Sequence, residues 1–151
     1  MEARKVIPLS LLYEADRNRI HGRTRVQKLV FLAQQRMEIE GIQPYEYIAY
    51  DYGPFSKELL NALEKYERKG LIEIEVTQTY DGTDKYIYSL TSKGIDNFKE
   101  NLDNSPDSGN LGTIRRVSSE VISRFNKMPI SELIDYVYNN HPGYAKNSVY
   151  S

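Results

Sequence analysis

The sequence predicts an α+β fold that is mostly helical. Three observations carry that expectation. Apolar residues recur at helical spacing in several stretches, most clearly at Val26, Leu29, Val30, Ala33 and Met37. Ile72, Ile74 and Val76 alternate with Glu73, Glu75 and Thr77, which reads as a strand with one wet face. Ser56 and Thr91 each stand directly before a helical pattern, where a hydroxyl caps free backbone N–H groups.

Taken in order, a first helix is expected over Pro8 to Arg17, with Leu9, Leu12 and Tyr13 on one face and Pro8 in its first turn. Ile20-His21-Gly22-Arg23 breaks it. A second helix is expected over Thr24 to Glu40, stopped by Gly41. Tyr45, Tyr47, Ile48, Tyr50 and Tyr52 make a short aromatic extended segment, and Gly53-Pro54 turns the chain. Ser56 caps a third helix that buries Leu59, Leu60 and Leu63, with Phe55 and Leu60 at the spacing of a hydrophobic staple. Gly70 ends this helix as a left-handed residue. The strand of Ile72, Ile74 and Val76 turns at Tyr80-Asp81-Gly82-Thr83, where Asp-Gly is a strong hairpin signal, and returns through Tyr86, Tyr88 and Leu90. Thr91 starts a fourth helix reaching about Leu102.

Asn104 to Gly112 has the Ser, Pro, Asp, Asn and Gly content of a linker. Two further helices follow. One covers Thr113 to Lys127, with Ile114, Val117, Val121 and Phe125 in a stripe. The other starts at Pro129 and turns Ile130, Leu133, Ile134, Val137 and Tyr138 inward, until His141-Pro142-Gly143 ends it. The tail from Tyr144 is expected to be extended. Helix, hairpin, then helix over Ser56–Lys93 is the second half of a winged helix-turn-helix. The organisation expected is a winged-helix domain over 1–103 with a two-strand wing, a linker over 104–112, and a C-terminal helical pair over 113–151. That pair either completes the core or joins two subunits as a homodimer.

Composition narrows the function. The chain has 151 residues, about one domain, with 40% hydrophobic and 27% charged residues. Cysteine is absent, which removes disulfides, Cys-ligated zinc and a thiol nucleophile, and suits a reducing cytoplasm. No apolar run approaches the roughly 18 residues of a membrane span, and the first residues hold too short an apolar run for a secretory signal. His21 and His141 are far apart, with no second ligand at metal spacing. No phosphate loop, nucleophile elbow or HExxH pattern is present. No enzyme, cofactor or metal is expected.

The net charge is −1, but it is unevenly spread. Residues 1–36 carry a net +5, residues 37–112 a net −8 and residues 113–151 a net +2. If the third helix enters a major groove, Lys57, Asn61, Lys65 and Arg68 face double-stranded DNA, with Asn61 able to read an adenine edge. Arg23, Arg25 and Lys28 open the second helix, whose N-terminal dipole adds attraction for a phosphate. Ser56 at the cap and Lys85 in the wing complete this candidate set. The wing argues the other way. Residues 70–90 hold Glu73, Glu75, Asp81 and Asp84 against Lys85, a net of −3, where a DNA-touching wing should be basic. A protein partner is therefore the alternative. The thirteen tyrosines, four of them in Tyr45–Tyr52, read as packing residues rather than a stacking surface.

Two resemblances bear on this. Leu60-Asn61-Ala62-Leu63-Glu64 through Lys69-Gly70-Leu71-Ile72-Glu73, followed by Tyr88-Ser89-Leu90-Thr91-Ser92-Lys93-Gly94, resembles winged-helix regulators of the PadR and MarR type over about 40 residues. The resemblance implies a cytoplasmic transcriptional regulator. Gly22–Gln34 (GRTRVQKLVFLAQ) with Tyr50–Leu59 (YDYGPFSKEL) is similar to YwgA-like and Panacea-type prokaryotic small proteins, which have a basic LQKLVF helix and a YGPxS turn. That second resemblance extends, less sharply, to Leu133–Ser148. It implies an antitoxin-like protein that binds a partner toxin.

Overall fold

The computed structural model describes residues 3–37, 45–51, 53–104 and 108–145. It is an α+β fold, mostly helical, with small antiparallel sheets. Helix α1 spans Ala3–Glu14 and so begins before the expected start, leaving Pro8 inside it rather than in its first turn. The side chains of Val6, Ile7, Leu9, Leu11 and Leu12 are all buried, and that burial outweighs the backbone hydrogen bond a proline removes. The helix ends where the Asn18 side-chain amide donates to the Leu12 and Tyr13 carbonyls at 3.3 and 3.0 Å. Arg17 and Asn18 both take left-handed backbone angles there, in a 3₁₀ turn over Asp16–Asn18.

The chain leaves that turn as strand β1 (Arg19–His21), where the sequence suggested only a break. Three residues are too few for alternation to be visible in a sequence. The strand is created by its partner β5 (Asp84–Leu90), with Ile20 opposite Tyr88. Helix α2 spans Arg23–Gln35, shorter than the expected reach to Glu40; residues 38–44 lie outside the described set. The aromatic segment forms a hairpin rather than a single strand: β2 (Ile48–Tyr50) pairs with β3 (Gly53–Phe55). Tyr52 lies outside the described residues.

Helix α3 spans Lys57–Arg68 and is capped as expected, the Ser56 hydroxyl accepting from Leu59 N at 3.2 Å. It buries Leu59, Leu63 and Tyr66, while Leu60 is only half-buried. Gly70 takes φ 76° and reverses the chain into β4 (Ile72–Gln78). Strands β4 and β5 pair from Ile72 opposite Leu90 to Gln78 opposite Asp84, and the sheet order is β1-β5-β4. Thr91 then does two things. Its hydroxyl donates to the Gly70 carbonyl at 2.6 Å and accepts from Gly94 N at 3.0 Å, so the cap of helix α4 (Ser92–Asn104) is tied to the end of α3.

Helix α5 spans Ser108–Phe125 and takes in half of the stretch read as a linker, so composition misled there; residues 105–107 lie outside the described set. Helix α6 spans Ile130–Asn140, followed by a 3₁₀ turn over Pro142–Tyr144. Residues 146–151, the expected extended tail, lie outside the described set. Helix α5 packs along α1 and against α2, and α6 packs on α2. Ile114, Val117, Val121, Phe125, Leu133 and Val137 are all fully buried in the same core as Ile7, Leu29 and Leu32. Ile130 is the exception on α6: it is 41% exposed, because it sits at the first helical position, ahead of the buried stripe. Phe31, off the stripe of α2, stacks edge-on with Tyr47, His141 and Tyr144. Among the described residues no helix is long and apolar enough to cross a membrane.

Candidate functional site

The nine residues singled out from the sequence divide into two groups. Lys57, Asn61, Lys65 and Arg68 lie exposed along α3, Arg23 is exposed at the start of α2, and Lys85 is exposed in β5. None of the four side chains on α3 has a hydrogen-bond or ion-pair partner among the described residues. The other three are drawn into the fold, and their expected place on the surface is corrected. Ser56 is buried. Arg25 points its Nη1 at the C-terminal end of α5, where it donates to the carbonyls of Phe125, Asn126 and Met128 at 3.3, 2.9 and 2.7 Å. Phe125 is the last residue of α5, and Asn126 and Met128 lie just past it, so the guanidinium brings donors to the carbonyl-rich end of that helix. Partial burial holds the Arg25 pKa below its ordinary value.

Lys28 is the larger departure. It follows Gln27 on α2 and is 1% exposed. Burial pushes its ammonium down to about 8. Among the described residues no hydrogen bond or ion pair engages it. It lines a cavity of about 350 Å³ between the first two turns of α2 and the β2–β3 hairpin, shared with Arg23, Thr24, Tyr50, Asp51 and Phe55. Gly53 forms one wall close to the amine. A Cβ at that position would stand 3.5 Å from Lys28 Nζ and 3.0 Å from the Tyr138 ring. Tyr50 is 49% exposed and its ring lies 5.0 Å from that of Phe55.

A basic groove borders the same helix start. Arg17, Arg19, His21, Arg25 and Lys127 line one part of it. His21, Arg23, Arg25 and Lys85 line the adjoining part. Asp16 and Asp84 are its carboxylates. Arg23 lies over the Tyr86 ring at 5.0 Å. The buried Tyr88 hydroxyl is held up to about 12, first by burial and then by Tyr86, Glu64 and Glu67, against the opposing pull of Arg23. Arg23 and the flank of α3 that carries Glu64 and Glu67 therefore share one neighbourhood around Tyr88.

The β4–β5 hairpin is acidic in place as well as in sequence. Glu73, Glu75, Asp81 and Asp84 are all exposed. The Asp81 carboxylate accepts from Thr79 Oγ1 and from Thr83 N, and these bonds hold its pKa down at about 2. Among the described residues no group of three or more His, Asp or Glu is placed to hold a metal ion. His141 packs on Phe31, where burial and Arg36 hold its pKa below the ordinary value.

Sequence reasoning missed Arg17, Arg19 and Lys127, because they converge only once β1 pairs with β5 and α5 meets α6. It also missed the role of Gln27, which is buried and holds the Ser56 backbone. A glutamine beside the apolar stripe of α2, between Val26 and the off-stripe Phe31, was the available signal. No protein-family model matches this chain, and no curated protein matches it.

Proposed function

We propose that this chain is a cytoplasmic winged-helix protein that binds double-stranded DNA, as expected of a transcriptional regulator. The observation that carries the reading is the shared neighbourhood of Arg23 and α3 around Tyr88. It puts the basic start of α2 beside a helix whose outer face offers Lys57, Asn61, Lys65 and Arg68 without partners. The order α1, β1, α2, α3, β4, β5 with strand order β1-β5-β4 supports the reading, as the order expected of a winged helix with the β2–β3 hairpin inserted between α2 and α3. In this reading α3 enters the major groove, and Arg23 with Lys85 meets phosphates. The C-terminal helices are not needed as a dimer seam for this, since their apolar stripes are already buried within one chain.

The test is fluorescence anisotropy with a random duplex at low salt, where phosphate-driven affinity is greatest. Binding is expected, with a steep fall on adding salt, and with loss in a Lys57→Glu/Lys65→Glu variant whose circular dichroism is unchanged. Absence of any binding at low salt overturns the reading.

A second reading has its own observation. The exposed wing carries Glu73, Glu75, Asp81 and Asp84, and Asp81 stays ionised down to about its pKa of 2. Such a wing suits a basic protein partner, as in an antitoxin or adaptor. Neutralising Asp81 and Asp84 to Asn separates the two. It strengthens binding to DNA in the first reading, and it weakens capture of a protein partner in the second.

A further inference from the structure

The cavity beneath the β2–β3 hairpin is separate from the outer face of α3, and it contains a charge that the fold leaves unanswered. Lys28 Nζ belongs to a side chain that is 1% exposed, yet nothing among the described residues accepts from it. An ammonium taken out of water without a partner is unfavourable, and proteins keep such groups where a ligand completes them. Three further observations point the same way. The first backbone hydrogen bond of α2 at its start is Val26 N to Gly22 O, so the N–H groups of Arg23, Thr24 and Arg25 have no acceptor among the described residues. Gly22 supplies no capping side chain, and no acidic residue stands in that turn. Gly53, at φ 107°, brings backbone past the amine where a side chain would close the space.

We propose that this cavity binds the phosphate group of a small phosphorylated molecule, held by Lys28, Arg23 and the open start of α2, with the rest of the ligand against Tyr50 and Phe55. The volume of about 350 Å³ suits a phosphate with one ring attached. Helix N-termini with a nearby cation are natural phosphate sites. The Gln27 amide is unavailable, because both its ends bond to Ser56. Donation therefore comes from Lys28, Arg23 and the Thr24 hydroxyl. Asp51 lines the same cavity and limits the negative charge it accepts, favouring one phosphate over a chain of them. The tilted pair of exposed Tyr50 and half-buried Phe55 offers an aromatic wall to a planar ring. The site also adjoins the cap of α3, since Gln27 binds the Ser56 backbone, so an occupant presses on the element that presents Lys57 and Asn61.

Thermal-shift and calorimetric titration at neutral pH and low salt test this, with inorganic phosphate, AMP and adenosine as probes. Phosphate and AMP are expected to bind saturably, AMP the tighter, and adenosine not at all. Lys28→Met should abolish both signals while keeping native circular dichroism and its affinity for duplex DNA. Arg23→Gln should weaken AMP by roughly tenfold or more, the worth of a hydrogen bond to a charged group. A short oligonucleotide with and without a 5′-phosphate separates a free metabolite from a nucleic-acid end as the phosphate's source. The proposal is overturned if neither phosphate nor AMP binds, or if Lys28→Met binds AMP as the parent chain does. Neither outcome depends on whether duplex DNA is bound.

Discussion

Gln27 brackets the Ser56 backbone. Its Nε2 donates to the Ser56 carbonyl at 3.0 Å and its Oε1 accepts from Ser56 N at 2.9 Å, 29 positions along the chain. All four atoms are buried. The pair pins the middle of α2 to the cap of α3, across the whole β2–β3 insertion. Gln27→Leu keeps the volume but strands the buried Ser56 N–H, while the Ser56 carbonyl keeps its bond from Leu60 N at 3.3 Å. A loss of about 1–3 kcal/mol in urea unfolding is expected, because an unsatisfied buried group costs its desolvation. A loss under about 0.5 kcal/mol would show that the bracket is not structural.

Arg25 closes the far end of α5 in the same manner. One nitrogen serves three carbonyls, of Phe125, Asn126 and Met128. Arg25→Lys keeps the charge and loses the planar reach, and is expected to cost about 1–2 kcal/mol; Arg25→Met should cost more. Chemical denaturation reads both. An unchanged midpoint in Arg25→Met would return Arg25 to the surface role first expected of it.

Lys28 gives a pH dependence with a definite sign. Its pKa falls from 10.5 to about 8 on folding. The unfolded chain therefore binds more protons between those values, and stability rises with pH across that window. Below about pH 8 the burial penalty is constant, at about 3 kcal/mol. Arg23 and Asp51 share the cavity, and the Tyr138 ring closes one wall. Tyr47 and Tyr88 are held up by burial and act in the opposite sense near pH 10, so the rise is best read from about pH 8 to 9.5. Lys28→Met should be more stable at pH 7 and flat over that range, as followed by urea midpoints at each pH.

Two glycines predict opposite outcomes. A Cβ at Gly94 would run into the Leu71 carbonyl and stand 2.8 Å from Leu90 Cδ1, so Gly94→Ala must part α4 from the sheet. A loss of about 2 kcal/mol or more is expected. Gly112 lies inside α5 with nothing within 4 Å of an added Cβ. Gly112→Ala should stabilise by about 0.5–1 kcal/mol through helix propensity. Paired thermal melts of the two variants check both signs.

What the sequence disclosed followed how local each cause is. Ser56, Gly70 and Thr91 act on neighbours within a few positions, and their caps and turn stand where the residues indicated. The β4–β5 hairpin was equally plain, since alternation and Asp-Gly lie within one stretch. Strand β1 was hidden, because its existence depends on Tyr88 opposite Ile20 rather than on its own three residues. The start of α5 was masked by Ser, Asn and Gly, whose weak local preferences give way to the packing of Ile114 and Val117 on α1. At the candidate site, the charge of Lys28 was visible but its burial was not. Nothing in LQKLVF-type spacing says which turn of the helix lies beneath a hairpin.

The partnership of α1 with α5, and of β1 with β5, sets when the molecule can exist at all. Each joins segments that leave the ribosome far apart in time. Ile20 waits for Tyr88 before its strand forms, and the face of α1 that packs along α5 stays open to water until that helix arrives. Until then α1 has only α2, α4 and the sheet to cover part of its apolar surface. Folding is expected to be a single late event rather than a growing one, and the interval before it is when this protein would most depend on a chaperone.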